Sequence, residues 1–231
     1  MRDYSFPHSP SKRRLLEEAE KLFADRGFDV VSIRDITKAA EANSAAVNYH
    51  FGSKDGLIAM VVSRYLVPIN EKRLTELNSL EKQYGSQPVP IEALLEAMVR
   101  PMAGVVRKSE LSERLFYKLL GRIFSLQHEG FPSVVEQQVK LLANRFRRAL
   151  GKHFPNVSEE ELAWKIQFVV GAMIHTLIHQ EWMNQMTDGA SGAPSVEVTL
   201  ERFVRFAAAG LREGVPDANA DSQGAQVLFD F

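Results

Sequence analysis

Apolar residues recur at helical spacing along most of the chain, and the alternation typical of strands is rare. The pattern predicts helices over residues 11–26, 32–40, 44–50, 54–81, 91–108, 111–128, 133–153, 159–186 and 196–212. Turn-forming residues separate these segments, most clearly at 84–90 and 187–195. The fold class predicted from the pattern is therefore all-α.

Residues 32–54 have the pattern of two short helices joined by a tight turn. Ser32 and Asn43 are suitable N-caps for the first and second of these helices. The turn itself falls on Glu41 and Ala42. Six apolar side chains are expected to face inward: Ile33, Ile36, Ala39, Ala40, Val47 and Phe51. Two helices in this arrangement form a helix-turn-helix, and the helix over 11–26 would complete a three-helix domain.

The outer face of the second short helix carries small and hydrogen-bonding side chains, which suit the major groove of DNA. We expect Tyr49, His50 and Lys54 to contact phosphates and Arg34 to contact the backbone or a base. A solvated helix face is the alternative for each. The full set of predicted DNA-contacting residues is Ser32, Arg34, Asn43, Ser44, Ala45, Ala46, Asn48, Tyr49, His50 and Lys54.

Charge alone does not identify a nucleic-acid-binding protein here. The 231 residues have a formal net charge of −1. Affinity for DNA must then come from the placement of basic residues, such as the cluster at residues 12–14. Binding through such contacts releases counterions and should weaken steeply with salt.

These residues resemble the DNA-binding domain of TetR-type transcriptional regulators. The resemblance rests on Phe23, Gly27, residues 32–36, 39–40 and 48–51, Lys54 and Leu57. Residues 45–54 resemble in particular the fatty-acid-responsive PsrA-type branch, and residues 119–121 and 167–172 continue that similarity. The resemblance implies a regulator whose ligand is a long-chain fatty acid or acyl-CoA. It also implies that movement of the helix starting near Lys54 changes the spacing of two DNA-reading heads.

Two positions depart from the pattern of the family. Glu41 stands where most members have glycine, which tolerates a left-handed turn better than glutamate does. Asn48 stands where tyrosine is usual, and the tyrosine is at position 49. The first departure affects the geometry of the turn, and the second affects base preference.

The predicted helix over 159–186 is apolar on more than one side. One side can face the domain interior and the other a second subunit. Together with the helix over 196–212, this predicts a four-helix interface in a homodimer. A dimer with two reading helices one turn of DNA apart would bind a palindromic operator.

A regulatory ligand would require a cavity among the middle helices. Methionines suit adaptable apolar cavities. Arg122 and His175 are polar groups in apolar stretches and are candidates to meet a polar head group. Packing alone is the alternative for the apolar residues, Arg122 can instead reach solvent, and His175 can be an interior or interface histidine whose hydrogen bonds are satisfied. The predicted ligand-binding residues are Met98, Met102, Phe116, Leu119, Arg122, Phe124, Phe168, Met173 and His175.

The sequence gives little support for disulfides, metal sites, catalytic motifs or membrane segments. Without cysteine there are neither disulfides nor thiolate metal sites. His175 and His179 have a spacing that can bind zinc, but no further ligand cluster accompanies them. There is no phosphate-binding loop, nucleophile motif, hydrophobic signal core or apolar run of about 18 residues. We therefore expect no cofactor, no metal and no enzymatic activity, and a cytoplasmic location.

The predicted organisation is a flexible arm (1–10), a helix-turn-helix DNA-binding domain (11–53), a larger C-terminal helical ligand-binding and dimerisation domain (54–213) and a tail (214–231). The predicted function is a TetR-type repressor that a small apolar effector releases from a palindromic operator. An activator is the alternative within this class. The alternative from another class is an all-α ligand-binding or enzymatic protein in which the helix-turn-helix is only structural.

Overall fold

The computed structural model describes residues 9–106, 111–124, 131–178, 180–190, 192 and 195–213. Within these ranges the chain forms helices and no strand, which confirms the all-α prediction. The helices are α1 (Pro10–Arg26), α2 (Ile33–Ala39), α3 (Ser44–Phe51), α4 (Lys54–Tyr84), α5 (Ile91–Val106), α6 (Glu113–Phe124), α7 (Ser133–Gly151), α8 (Glu159–Ile178), α9 (Gln180–Met186) and α10 (Val196–Arg212).

The first three helices pack against one another around a small apolar centre. α1 contacts both α2 and α3, and α2 contacts α3. The buried side chains of this head domain come from all three helices and from the connection after α1, where the rings of Phe23 and Phe28 lie 4.9 Å apart. Residues 1–8 of the predicted arm lie outside the described residues, and α1 begins at Pro10.

The long helix α4 joins the head domain to the rest of the molecule. It runs for 31 residues and continues through Pro68. Its first turns pack on α1 and α3, and its later turns pack on α5 and α7. Leu57, Val61 and Leu77 are all fully buried, so one apolar core continues across the predicted domain boundary at 53/54.

The remaining helices meet the head domain through α6. α6 contacts both α1 and α8, and the ring of Phe116 on α6 packs edge-on against Tyr65 on α4 at 5.5 Å. α10 packs on α5 and α8. Ion pairs between Arg145 and Glu81, and between Arg212 and Glu92, connect the surfaces of neighbouring helices.

The structure differs from the sequence predictions at several points. Ala39 is exposed and Thr37 is buried in its place, because residues 33, 36, 37 and 40 share one helical face and residue 39 does not. Within the predicted helix over 159–186 the structure describes α8 and α9, and residue 179 between them lies outside the described residues. α6 begins only after Ser112, whose carbonyl and hydroxyl oxygens accept hydrogen bonds from the first turn. Residues 125–130 and 214–231, including the predicted tail, lie outside the described residues.

No helix in the described ranges has the length and hydrophobicity needed to cross a membrane.

Candidate nucleic-acid interface and ligand cavity

Local hydrogen bonds fix both ends of α2. The Ser32 hydroxyl accepts a bond from the Asp35 amide at 3.2 Å, and the Asp35 carboxylate accepts one from the Ser32 amide at 2.9 Å. This reciprocal pair is a capping box. The Ser32 hydroxyl also donates to the Asp35 carboxylate, and this bond, followed by the one from the Ser32 amide, holds the pKa of Asp35 below its ordinary value. At the other end the amide of Ala42 donates to the carbonyl of Thr37 at 2.9 Å, and Glu41 has a φ of 48°. The helix therefore ends in a Schellman motif with a glutamate in the left-handed position.

Hydrogen bonds and a close backbone approach fix the position of α3 at both ends. The Asn43 side-chain oxygen accepts a bond from the Ala45 amide at 3.0 Å and caps the first turn. After α3 the Ser53 hydroxyl accepts a bond from the Gly56 amide at 3.0 Å and starts α4. Gly56 lies so close to the end of α3 that a Cβ atom there would be 2.0 Å from the carbonyl oxygen of Phe51. The turn between α3 and α4 therefore requires glycine at position 56.

Most of the predicted DNA-contacting residues lie on the surface of the head domain. Tyr49 is 85% exposed, and its ring packs edge-on against His50 at 5.0 Å. Ala46, His50 and Lys54 are half-buried, with Ala46 turned toward the core. The exposed members of the set are Ser32, Arg34, Asn43, Ser44, Ala45, Asn48 and Tyr49. The outer surface of α3 is thus polar and uncovered by the described residues.

Two lysines hold their positions beside this surface through contacts with the head domain. Lys54 donates to the carbonyl oxygen of Asp29 at 3.4 Å, next to the start of α2. The ammonium of Lys12 lies 5.7 Å from the centre of the Phe51 ring, at the end of α3. Lys12 was not among the predicted contacts. Its membership of the basic cluster at 12–14 is the sequence signal that points to it.

A buried polar cluster links the head domain to α4. Glu20 on α1 accepts hydrogen bonds at 2.8 Å from both Arg64 and Tyr65 on α4. Burial raises the pKa of Glu20 to about 7, although the charge of Arg64 and both hydrogen bonds act to lower it. The carboxyl group is therefore close to its titration point at neutral pH.

An apolar cavity of about 190 Å³ lies between α4, α5, α7 and α8. Three of the predicted ligand-binding residues line it: Met98, Phe124 and Met173. The other predicted residues lie elsewhere. Met102, Phe116 and Leu119 are buried outside this cavity, whereas Phe168 and His175 are exposed on α8.

Arg122 does not reach the cavity that the sequence prediction assigned to it. Its guanidinium lies against Gly27 of the head domain, where a Cβ atom would be 3.4 Å from the Arg122 Cζ atom. Arg122 is exposed and lies on α6, the helix that packs on α1. The basic residue that lines the cavity is instead Arg73 on α4, in a stretch rich in charged residues that gave no sequence signal of burial.

The outward face of α8 and α10 exposes large apolar side chains. Trp164 and Phe168 on α8 are 53% and 57% exposed, and their ring centroids lie 5.9 Å apart. Phe206 on α10 is 72% exposed. His175 lies farther along α8 and packs edge-on against Trp182 at 6.4 Å, and His179 lies outside the described residues.

A capped helix-turn-helix on a larger helical body defines a class of protein, the helix-turn-helix regulators with a separate C-terminal domain. Comparison with protein-family models supports this class. Residues 15–61 match the family model described as bacterial regulatory proteins of the tetR family, and residues 96–210 match the model of the tetracyclin repressor-like C-terminal domain. The chain belongs to the TetR family of transcriptional regulators.

Individual relatives are distant and match mainly over part of their length. The chain is 32% identical over 73 residues to the probable HTH-type transcriptional regulator YttP of Bacillus subtilis, covering 32% of this chain and 35% of that protein. It is 22% identical over 115 residues to the regulator UidR of Escherichia coli, covering 44% and 59%. The match thus spans about a third of the length of one relative and about three fifths of the other.

Solved structures share the fold over a longer range. The structure of a TetR-like transcriptional regulator from Rhodococcus sp. RHA1 is similar with a TM-score of 0.55 and 20% sequence identity. The similarity covers 89% of this chain and 97% of that one. At this level of identity the likeness establishes the fold.

Proposed function

We propose that this protein is a cytoplasmic transcriptional repressor that binds DNA through the exposed face of α3. The observation that carries the proposal is the way α3 is held. Caps at Asn43 and Ser53 fix the helix from its ends, and Asn48 and Tyr49 are left uncovered. If the helix-turn-helix were only structural, we would expect this polar face to pack against other parts of the protein.

The operator in this proposal is a palindrome bound by a homodimer. The support is the exposed aromatic face of α8 and α10, since apolar patches of this kind mark interaction surfaces. A two-fold dimer presents two copies of α3, which suits half-sites about 34–36 Å apart. Each copy of Tyr49, Lys54 and Lys12 would then lie next to the phosphate backbone.

The effector in this proposal is a small apolar molecule, a fatty acid or acyl-CoA, bound in the cavity. α4 contributes Asn70 and Arg73 to the cavity and begins at Lys54 beside α3. One element therefore contacts both the effector site and the DNA-binding head. By thermodynamic linkage, an effector that weakens DNA binding is itself bound more weakly, by the same factor, when DNA is present.

The test is fluorescence anisotropy of the full chain against DNA from upstream of its own gene, at about 50 mM and 200 mM salt. We expect specific binding that falls by orders of magnitude over this range, as for proteins that contact several phosphates. Tyr49→Ala and Arg34→Ala should each weaken binding by about tenfold, a typical loss for one good contact. Lys152→Ala, an exposed change on the body, is the matched control and should bind as the wild type does.

Selection from random oligonucleotides completes the experiment. A palindromic consensus would support the proposal that a homodimer binds the operator. If no sequence is enriched and binding equals that to random DNA, the proposed function is wrong. If the Tyr49 and Arg34 variants bind as tightly as the control, a surface other than α3 binds the DNA.

A further inference from the structure

Arg73 is a buried guanidinium with an unused donor. It lies on α4 and is 9% exposed. Its Nε donates to the carbonyl oxygen of Met98 at 2.7 Å, and its Nη1 donates to the side-chain oxygen of Asn70 at 3.2 Å. The Nη2 atom is buried and has no hydrogen-bond partner among the described residues. A buried donor without a partner is costly, and more so when it belongs to a charged group.

The charge of Arg73 is also unbalanced within the part of the chain that the structure describes. No carboxylate there forms an ion pair with it, unlike Arg64, which pairs with Glu20 at 2.8 Å. Burial lowers the pKa of Arg73 to about 10, so the group stays cationic at neutral pH. Among the described residues, the interior therefore holds a positive charge with no anion paired to it.

The cavity places this charge beside apolar surface. Arg73 and Asn70 are its polar lining residues, and the rest of the wall includes Met98, Phe124, Phe146 and Met173. Val139 and Ala143 also line it and are exposed on α7, so the cavity reaches the surface along that helix. Asn70 in turn donates to Gln138 at 3.5 Å, and this contact orients the amide that holds Nη1.

The volume of the cavity limits what it can hold. A cavity of about 150 Å³ accommodates benzene. A space of about 190 Å³ therefore suits a compact acid about the size of benzoate or octanoate. The nucleotide part of an acyl-CoA would have to remain outside this space, and its thioester offers no carboxylate to Arg73.

A second, larger groove of about 580 Å³ lies between α4 and α5, but its charges are already satisfied. Lys72 pairs with Glu76 at 2.6 Å, and Arg100 pairs with Glu96 at 3.2 Å. This groove therefore offers no unbalanced cation to an anionic ligand.

We propose that the cavity binds a compact apolar monocarboxylic acid, with the carboxylate on Arg73 and the hydrocarbon part against the apolar wall. The inference rests on the proposed function in taking the cavity as the effector site, and it narrows the effector from a fatty acid or acyl-CoA to a compact free acid. Arginine presents parallel donors that match a carboxylate, and such charge-assisted bonds are among the stronger ones. The acid supplies both the missing hydrogen-bond acceptor and the missing negative charge.

The test measures binding to the full chain in the absence of DNA, by titration calorimetry and thermal shift. The probes are hexanoate, octanoate, decanoate and benzoate, each compared with its primary amide. We expect at least one acid to bind and to raise the melting temperature, and its amide to bind at least about tenfold more weakly, as for the loss of a charged hydrogen bond. This comparison needs no variant and does not depend on one that folds.

Variants of Arg73 test whether this side chain is responsible for binding the acid. Arg73→Met should lower the affinity for the acid by at least about tenfold and leave the weak affinity for the amide unchanged. Arg73→Lys keeps the charge but loses the fork of donors, and should fall between the two. Arg148→Met makes the same change at an exposed arginine of α7 and should bind the acid as the wild type does.

The inference is overturned if no acid binds, if amide and acid bind equally, or if Arg73→Met leaves acid binding intact. Octanoyl-CoA binding as tightly as octanoate would overturn it too. DNA binding is measured separately on the same preparations. Loss of DNA binding alone contradicts the proposed function, and loss of acid binding alone contradicts the carboxylate site.

Discussion

Glu41 occupies a backbone position at which a side chain is a disadvantage. Its φ of 48° lies in the left-handed region, and the Schellman motif after α2 requires that conformation. The left-handed region costs a residue with a Cβ atom about 1–2 kcal/mol. This backbone strain lies in the turn between α2 and α3.

Glu41→Gly should therefore stabilise the protein by about 0.5–1 kcal/mol, because relief of the strain exceeds the added backbone entropy of glycine. Urea denaturation followed by circular dichroism measures the change. Glu41→Ala is the matched control, since it removes the carboxylate but keeps the Cβ atom, and should give no gain. Equal stabilisation by both variants would mean that the glutamate side chain, and not the backbone, is unfavourable.

Gly56 is a second residue that backbone geometry demands, here because of a neighbour and not because of φ. A Cβ atom at this position would meet the Phe51 carbonyl oxygen, a backbone atom that cannot turn aside. The end of α3 and the start of α4 can approach so closely only at a glycine.

Gly56→Ala should lower the free energy of unfolding by about 1–3 kcal/mol, the usual range for overpacking. It should also weaken DNA binding, since α3 must move relative to α4. Gly104→Ala, in open space on α5, is the control and should be neutral or stabilising. Calorimetric melting and anisotropy measure the two effects, and an unchanged melting temperature for Gly56→Ala would show that the approach is not tight.

At the scale of elements, local signals predicted helix boundaries well. Ser32 and Asn43 cap the helices that their types and spacing predicted, because a cap involves only residues a few positions apart. The side that a helix presents to the interior was harder to predict. Val169 lines the cavity and its neighbour Phe168 faces outward, a distinction set by packing against other helices. Arg73 was missed for the same reason, since its burial comes from distant segments.

The contact between α1 and α4 should depend on pH. Glu20 has a pKa raised from 4.5 to about 7, so the folded state binds its proton more tightly than the unfolded chain does. The protonated Glu20 side chain makes its full contribution to the free energy of unfolding below about pH 4.5, and this contribution is lost as the pH rises to about 7.

The comparison of wild type with Glu20→Gln isolates this dependence. The variant does not titrate, so its stability relative to the wild type should rise between pH 5 and 8 by about 2–3 kcal/mol. Urea denaturation at four pH values in this interval measures the difference. A difference that stays constant with pH would show that Glu20 is already ionised throughout, held by Arg64 and Tyr65.

At the scale of the whole molecule, the uncovered aromatic face of α8 and α10 is the feature that the proposed assembly must explain. Trp164 and Phe168 on α8 and Phe206 on α10 are each more than half exposed, and α8 and α10 contact each other. Their burial between two copies of the chain would bring two head domains to one piece of DNA.

Phe206→Glu should weaken dimerisation by roughly thirtyfold, corresponding to the loss of about 2 kcal/mol at a central aromatic contact. Analytical ultracentrifugation across a concentration series measures the monomer–dimer equilibrium. DNA affinity should fall as well, because a monomer contacts one half-site. Lys152→Glu adds the same charge elsewhere and should remain dimeric. A Phe206→Glu variant that stays fully dimeric would place the interface on another face.

The way in which α3 is anchored bears on how such a protein can change its target. Its caps, its buried Val47 and the close approach at Gly56 hold it in place, and none of them uses the outer side chains at positions 45, 48 and 49. The Ser44 hydroxyl, in contrast, donates to the capping oxygen of Asn43 at 3.3 Å. If α3 reads DNA as proposed, substitutions at positions 45, 48 and 49 can alter the recognised sequence at little cost in stability. Evolution or protein engineering could then change the recognised DNA sequence without changing the contacts that anchor α3.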